Sequence, residues 1–145
     1  MKQIRVEIIP DFFIGTTDTI NDIKLNRFHE IKKFINLDKD LSFVGKWKEY
    51  TDPYKQNSIL YSEKNNLTNY LISLSDMIYQ SIENDEPILV CCKDCNQLAP
   101  LVAVVFLIRY GKLSIQNALR SIISKLPESP FQPKIEHLTI LKTLI

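Results

Sequence analysis

Three features of the chain support an α/β fold. A short, continuously apolar run at 87–91 lies between Glu86 and Lys93, as suits a central strand buried on both faces. It leads through Cys92 toward a second apolar stretch, 98–108, which is too short to span a bilayer and reads as a buried helix. Beyond Tyr110 the spacing is helical throughout, so the strands belong to the earlier part of the chain.

The elements follow in order. Residues 5–9 and 12–14 read as short β segments split by Pro10-Asp11, and Thr16-Thr17-Asp18 offers cap candidates for a short helix over 20–25. A strand is predicted at 31–37, mostly loop from 38 to 57, and a strand end at 58–61. Leu67, Leu71, Leu74, Ile78 and Ile82 form the stripe of an amphipathic helix with Asn66 as its cap. The apolar helix is predicted over 99–110 with Gly111 closing it. Ser114 caps the next, carrying Ile115, Leu119, Ile122, Ile123 and Leu126. Pro127, Pro130 and Pro133 punctuate the following connection. A last helix from about Lys134 is predicted to turn Ile135, Leu138, Leu141 and Leu144 inward.

At 145 residues, with 45% hydrophobic and 24% charged content, the chain has the size and composition of one globular domain, 1–145. A formal net charge of +1 gives no electrostatic reason to expect nucleic acid or a membrane as partner, so any anion site is local. The N-terminus lacks a long apolar region and a small-residue cleavage site, which predicts an intracellular, cytoplasmic protein. Three cysteines, Cys91, Cys92 and Cys95, crowd into one segment and make no disulfide framework, which fits a reducing compartment.

Cys92 is the candidate reactive residue. A thiol where a strand yields to a helix meets unpaired N–H donors and the positive end of the helix dipole, which lower its pKa and attract phosphate. The bland alternative is a small buried hydrophobe. Cys92-Lys93-Asp94-Cys95 is also a CxxC that looks like the thioredoxin redox motif, but that fold needs two further strands after the helix. Zinc would need two more ligands than this pair supplies, Cys91 points to the other side of its strand, and neither His29 nor His137 has ligand-like spacing. Both histidines read as ordinary surface or partly packed residues. Trp47, Tyr50 and Tyr54 read equally as a recognition patch or a satellite core, and Lys32-Lys33 as a solvated edge.

The segment Ile88-Leu-Val-Cys-Cys-Lys-Asp-Cys-Asn-Gln-Leu-Ala-Pro resembles the loop His-Cys-x-x-Gly-x-x-Arg-Ser/Thr of the dual-specificity branch of the protein tyrosine phosphatases. The resemblance extends to Asn66-Leu67 opening a long helix, Val90, Pro100, Arg109-Tyr110 and Ala118-Leu119-Arg120-Ser121-Ile122. Ile9-Pro10-Asp11-Phe12-Phe13-Ile14-Gly15 is similar to the family's opening hairpin. It implies a three-layer α/β domain, a small central mixed sheet flanked by helices, with the phosphate loop between the central strand and a buried helix.

Carried over residue by residue, the resemblance puts Cys92 on the nucleophile, Cys91 on the preceding His and Cys95 on the Gly. Lys93, Asp94, Asn96 and Gln97 fill the variable places of the loop, Leu98 falls on the Arg, and Ala99 on the Ser or Thr. Tyr61 falls on the general-acid Asp. The Arg grips two phosphate oxygens through a planar fork, with about 1.5 to 3 kcal/mol for each charged hydrogen bond, and Leu98 forfeits both. A missing general acid costs a further ~10²- to 10⁴-fold in rate. Tyr61 is too weak an acid to substitute, and Glu63 reaches the site only if the loop shifts. Ala99 has no hydroxyl for the leaving thiolate, Cys95 crowds a tight backbone, and Asp94 offsets Lys93.

The resemblance therefore implies a degenerate member of the family, a pseudophosphatase that sequesters or scaffolds a protein partner, phosphorylated or not. A residually active cysteine-dependent phosphatase and a CxxC redox protein are the alternatives. No cofactor or metal is expected, and a homodimer is left open. Small free-standing domains of this branch occur in eukaryotes and in large DNA viruses. The richness in Ile, Lys and Asn, with only 3 Gly, fits an AT-rich genome; a viral source is implied by the resemblance alone and would place the protein in host cytoplasm or virion.

Overall fold

The structure is a computed structural model that describes residues 5–16, 33–36, 64–92, 98–126 and 131–144. Strands β1 (Arg5–Ile9), β2 (Phe12–Thr16) and β3 (Lys33–Asn36) precede helix α1 (Lys64–Glu83). Strand β4 (Ile88–Cys92) and helices α2 (Leu98–Arg109), α3 (Ile115–Lys125) and α4 (Ile135–Lys142) complete the order. The predicted helix at 20–25, the loop at 38–57 and the strand end at 58–61 lie outside the described residues.

The four strands form one mixed sheet in the order β1-β2-β4-β3. β1 and β2 are an antiparallel hairpin, whereas β4 runs parallel to both β2 and β3. The hairpin turns at Pro10-Asp11: proline presets the first central position, and Asp11 takes the second at φ 74°, the pattern of a type II turn. The register shifts between Glu7 and Ile9, a bulge that leaves Ile8 buried. The Asp11 carbonyl accepts from the Ile88 N–H at 2.8 Å, which ties the hairpin tip to the start of β4.

β4 is central because its apolar run suits enclosure on both faces, and Ile88, Leu89 and Val90 are all buried. Against it lies α2, apolar on every side, with each residue from Ala99 to Ile108 buried. α2 packs on α1, α3, β2 and β4, and Phe106 meets Phe12 edge-on at 5.2 Å. The expected stripe of α1 is present: Leu71, Leu74 and Ile78 are fully enclosed, and Leu67 and Ile82 pack at its margins.

Several boundaries differ from expectation. α1 begins at Lys64, so Asn66 is its third residue and not its cap. β4 extends through Cys92 instead of ending at Cys91. Gly111 closes α2, but the left-handed residue is Lys112, φ 59°. Gly111 is needed for another reason, since a Cβ there would stand 2.6 Å from the Leu107 carbonyl oxygen. In α4 the inward set is His137, Ile140 and Leu141, with Leu138 and Leu144 half-buried, while Ile135 is 84% exposed. Ile135 faces outward because, at about 100° per residue, it lies on the side of α4 opposite His137, Ile140 and Leu141. None of the described helices is long and apolar enough to cross a membrane.

Candidate functional site: the mouth of the buried helix

The parallel strands bring three carboxyl ends together. Cys91 is in register with Gly15 of β2 on one side and with Asn36 of β3 on the other, and Cys92 pairs with Thr16. In open α/β sheets the crevice beyond such ends is where ligands bind. Cys92 ends β4 there, and α2 begins at Leu98 after five intervening residues.

What α2 presents at its start follows from three residues. Leu98 is half-buried and its side chain packs onto the hydrophobic core. Ala99 is fully enclosed and has no side-chain polar atom. Pro100 is buried and lacks an N–H, so it removes one of the donors that a helix start otherwise offers to an anion. The helix dipole still favours negative charge at this end, with Leu98, Ala99 and Leu101 as the remaining donors of the first turn. Cys91 and Cys92 contribute backbone to β4. Lys93, Asp94, Cys95, Asn96, Gln97 and Tyr61 lie outside the described residues, as do Glu63, Trp47, Tyr50, Tyr54 and His29.

The arginine of α2 stands at the opposite end and is occupied. Arg109 is eleven residues on from Leu98, roughly 16 Å along the helix at 1.5 Å per residue. Its Nη1 donates to the Ile72 carbonyl at 3.1 Å, to Ser75 Oγ at 2.6 Å and to Asp76 Oδ1 at 2.5 Å. The Tyr110 hydroxyl donates to the same Asp76 oxygen, and the Tyr110 ring stacks on Tyr79 at 4.3 Å. Burial pushes the Asp76 carboxyl up, but the Tyr110 bond and then the Arg109 bond and charge outweigh it and hold the pKa below 3.8. The Asp76 bond, with burial added, raises the Tyr110 phenol above 10.0. Sequence reasoning missed this clamp between α1 and α2. Its one local signal is Asp76 and Tyr79 at a spacing of three on the same helix.

His137, read from the sequence as an ordinary surface or partly packed residue, is instead enclosed. It lies in α4, and its Nδ1 accepts from the Lys134 N–H at 3.4 Å. Among the described residues no group of three His, Cys, Asp or Glu side chains converges in a way that could hold a metal ion.

This architecture is that of solved dual-specificity phosphatases. Human DUSP28 matches with a TM-score of 0.74 at 15% identity, over 99% of this chain and 94% of that one. The human tyrosine phosphatase-like serine/threonine/tyrosine-interacting protein matches at 0.73 and 11%, over 96% and 93%. A mouse protein assigned as a dual specificity phosphatase, complexed with zinc tungstate, matches at 0.74 and 17%, over 97% and 85%. No family model and no curated protein matches the chain. At these identities the likeness is one of fold, and the chain has the dual-specificity phosphatase fold.

Proposed function

We propose that the protein is a pseudophosphatase: it keeps the phosphatase fold, does not hydrolyse phosphate esters, and acts by holding a protein partner. The observation that carries this reading is Leu98. Where the resemblance calls for a guanidinium fork, the first residue of α2 is an aliphatic side chain packed onto the core. Ala99 beside it supplies no hydroxyl, and Arg109 is held at the far end of the helix by Asp76 and Ser75. The CxxC redox alternative gains no support from the topology, since the described elements after Cys92 are helices only. One fold neighbour is named as a phosphatase-like interacting protein, which suits a binding role for this chain too. In this reading the protein works in the cytoplasm, that of an infected host if the source is viral, and grips its partner without gripping a phosphate.

Two measurements test the proposal. Phosphatase turnover by the wild type is expected to equal that of Cys92→Ser, whereas Leu98→Arg combined with Ala99→Ser and Tyr61→Asp is expected to gain turnover that needs Cys92. Wild-type turnover that disappears in Cys92→Ser overturns the reading. Phosphotyrosine and phosphothreonine peptides at millimolar concentration are expected to displace no probe from the loop; saturable displacement shows a phosphate-reading site.

A further inference from the structure

We infer that His137 is a proton-operated latch that holds the C-terminal helix on the core. The first N–H groups of a helix have no partner within it and need an acceptor from elsewhere. At α4 the N-cap residue is Lys134, whose ammonium has no lone pair to offer. The side-chain cap comes instead from three residues on: His137 Nδ1 accepts from the Lys134 N–H, while the Lys134 carbonyl accepts from the His137 and Leu138 N–H groups at 3.0 Å each. An imidazole nitrogen accepts only when it carries no proton, so this geometry requires the neutral ring with its hydrogen on Nε2.

Protonation turns Nδ1 from acceptor to donor and sets it against the Lys134 N–H, at a residue that is only 6% exposed. The cap is lost and a buried cation is created in one step, with Ile140 and Leu141 on the same short helix. Burial is the main influence on the ring and lowers its pKa below 6.5; Glu136 opposes this and Lys134 adds to it. Among the described residues these two are the charges that act on it, and both belong to its own helix start. Because the folded value lies below the unfolded one, the stability is fully present above pH 6.5 and is lost as pH falls toward the folded value.

Amide hydrogen exchange, corrected for the intrinsic effect of pH, tests the latch at about pH 7.5 and about pH 5, on either side of the ordinary histidine range. The wild type is expected to lose protection across 135–142 severalfold relative to 71–78 of α1. His137→Gln, whose Oε1 accepts at either pH, is expected to show no such relative loss. Unchanged relative protection in the wild type, or the same loss in His137→Gln, overturns the latch. The wild-type imidazole nitrogen shifts give a readout independent of any variant. A bare Nδ1 at about pH 7.5 is expected, and a proton found there overturns the inference.

Discussion

Asp76 gathers a guanidinium and a phenol on one carboxylate oxygen. It accepts from Arg109 and from the Tyr110 hydroxyl, so the contact between α1 and α2 titrates at both ends of the pH range. The Asp76 contribution is present above its ordinary value of 3.8 and lost as pH falls through the lower folded value. The Tyr110 contribution is present below 10.0 and lost as pH rises through the higher folded value. Asp76→Asn is therefore expected to flatten the acid limb of a plot of urea midpoint against pH, and Tyr110→Phe the alkaline limb. An unchanged acid limb in Asp76→Asn refutes the assignment. Both groups are partly in water, so Tyr110→Phe is expected to cost only about 0.5 to 1 kcal/mol at neutral pH. Beyond the spacing of Asp76 and Tyr79 this was not legible in the sequence: Asp76 and Arg109 are 33 positions apart, and polar pairing across helices leaves no periodic trace.

At the level of elements, the interiors of helices and strands were legible and only some of their ends were. The stripe of α1 and the apolar run of β4 are periodic signals, and Ser114 caps α3 as expected by accepting from the Asn117 N–H at 3.1 Å. Left-handed positions were missed because the chain has only 3 Gly, and among the described residues they fall on Asp11, Asp85 and Lys112. Asp85 ends α1 in a Schellman arrangement, with Asp85 N–H bonded to the Ile82 carbonyl at 3.1 Å and Glu86 N–H to Ser81 at 2.8 Å. Asp85→Gly relieves the left-handed penalty and is expected to stabilise by up to about 1 kcal/mol in chemical denaturation. Gly111→Ala is expected to destabilise by about 1 to 3 kcal/mol, since the new methyl meets the Leu107 carbonyl and neither backbone segment can yield cheaply. A neutral Gly111→Ala contradicts the close approach. In α4 the expected stripe holds at Leu138, Leu141 and Leu144 and departs at its start, where His137, a polar residue, takes an inward place and Ile135 does not.

The molecule as a whole keeps a phosphatase fold at 11% to 17% identity to the solved structures described above. That is physically reasonable, because what the fold demands is apolar volume around β4 and α2, and many sequences supply it. The candidate site is a reading from the resemblance at the strand-to-helix transition, and of its residues the structure describes the packing of Leu98 and the enclosure of Ala99. Partner identity leaves no such mark. One whole-molecule expectation follows: millimolar phosphate or tungstate leaves Tm unchanged. A ligand present at 100 times its Kd stabilises by about 2.7 kcal/mol. A rise of about 2 to 4 °C, the scale of 1 kcal/mol in a domain of this size, reveals an anion site that still works.

Ten consecutive enclosed residues in α2 have a consequence for engineering. A helix gripped along its whole length is positioned by its flanks and not by anything it holds at its tip. The end of β4 and the start of α2 are then two fixed posts, and residues 93–97 are the span between them. For redesign, the enclosed length of α2 and the buried residues of β4 are the frame to leave unchanged.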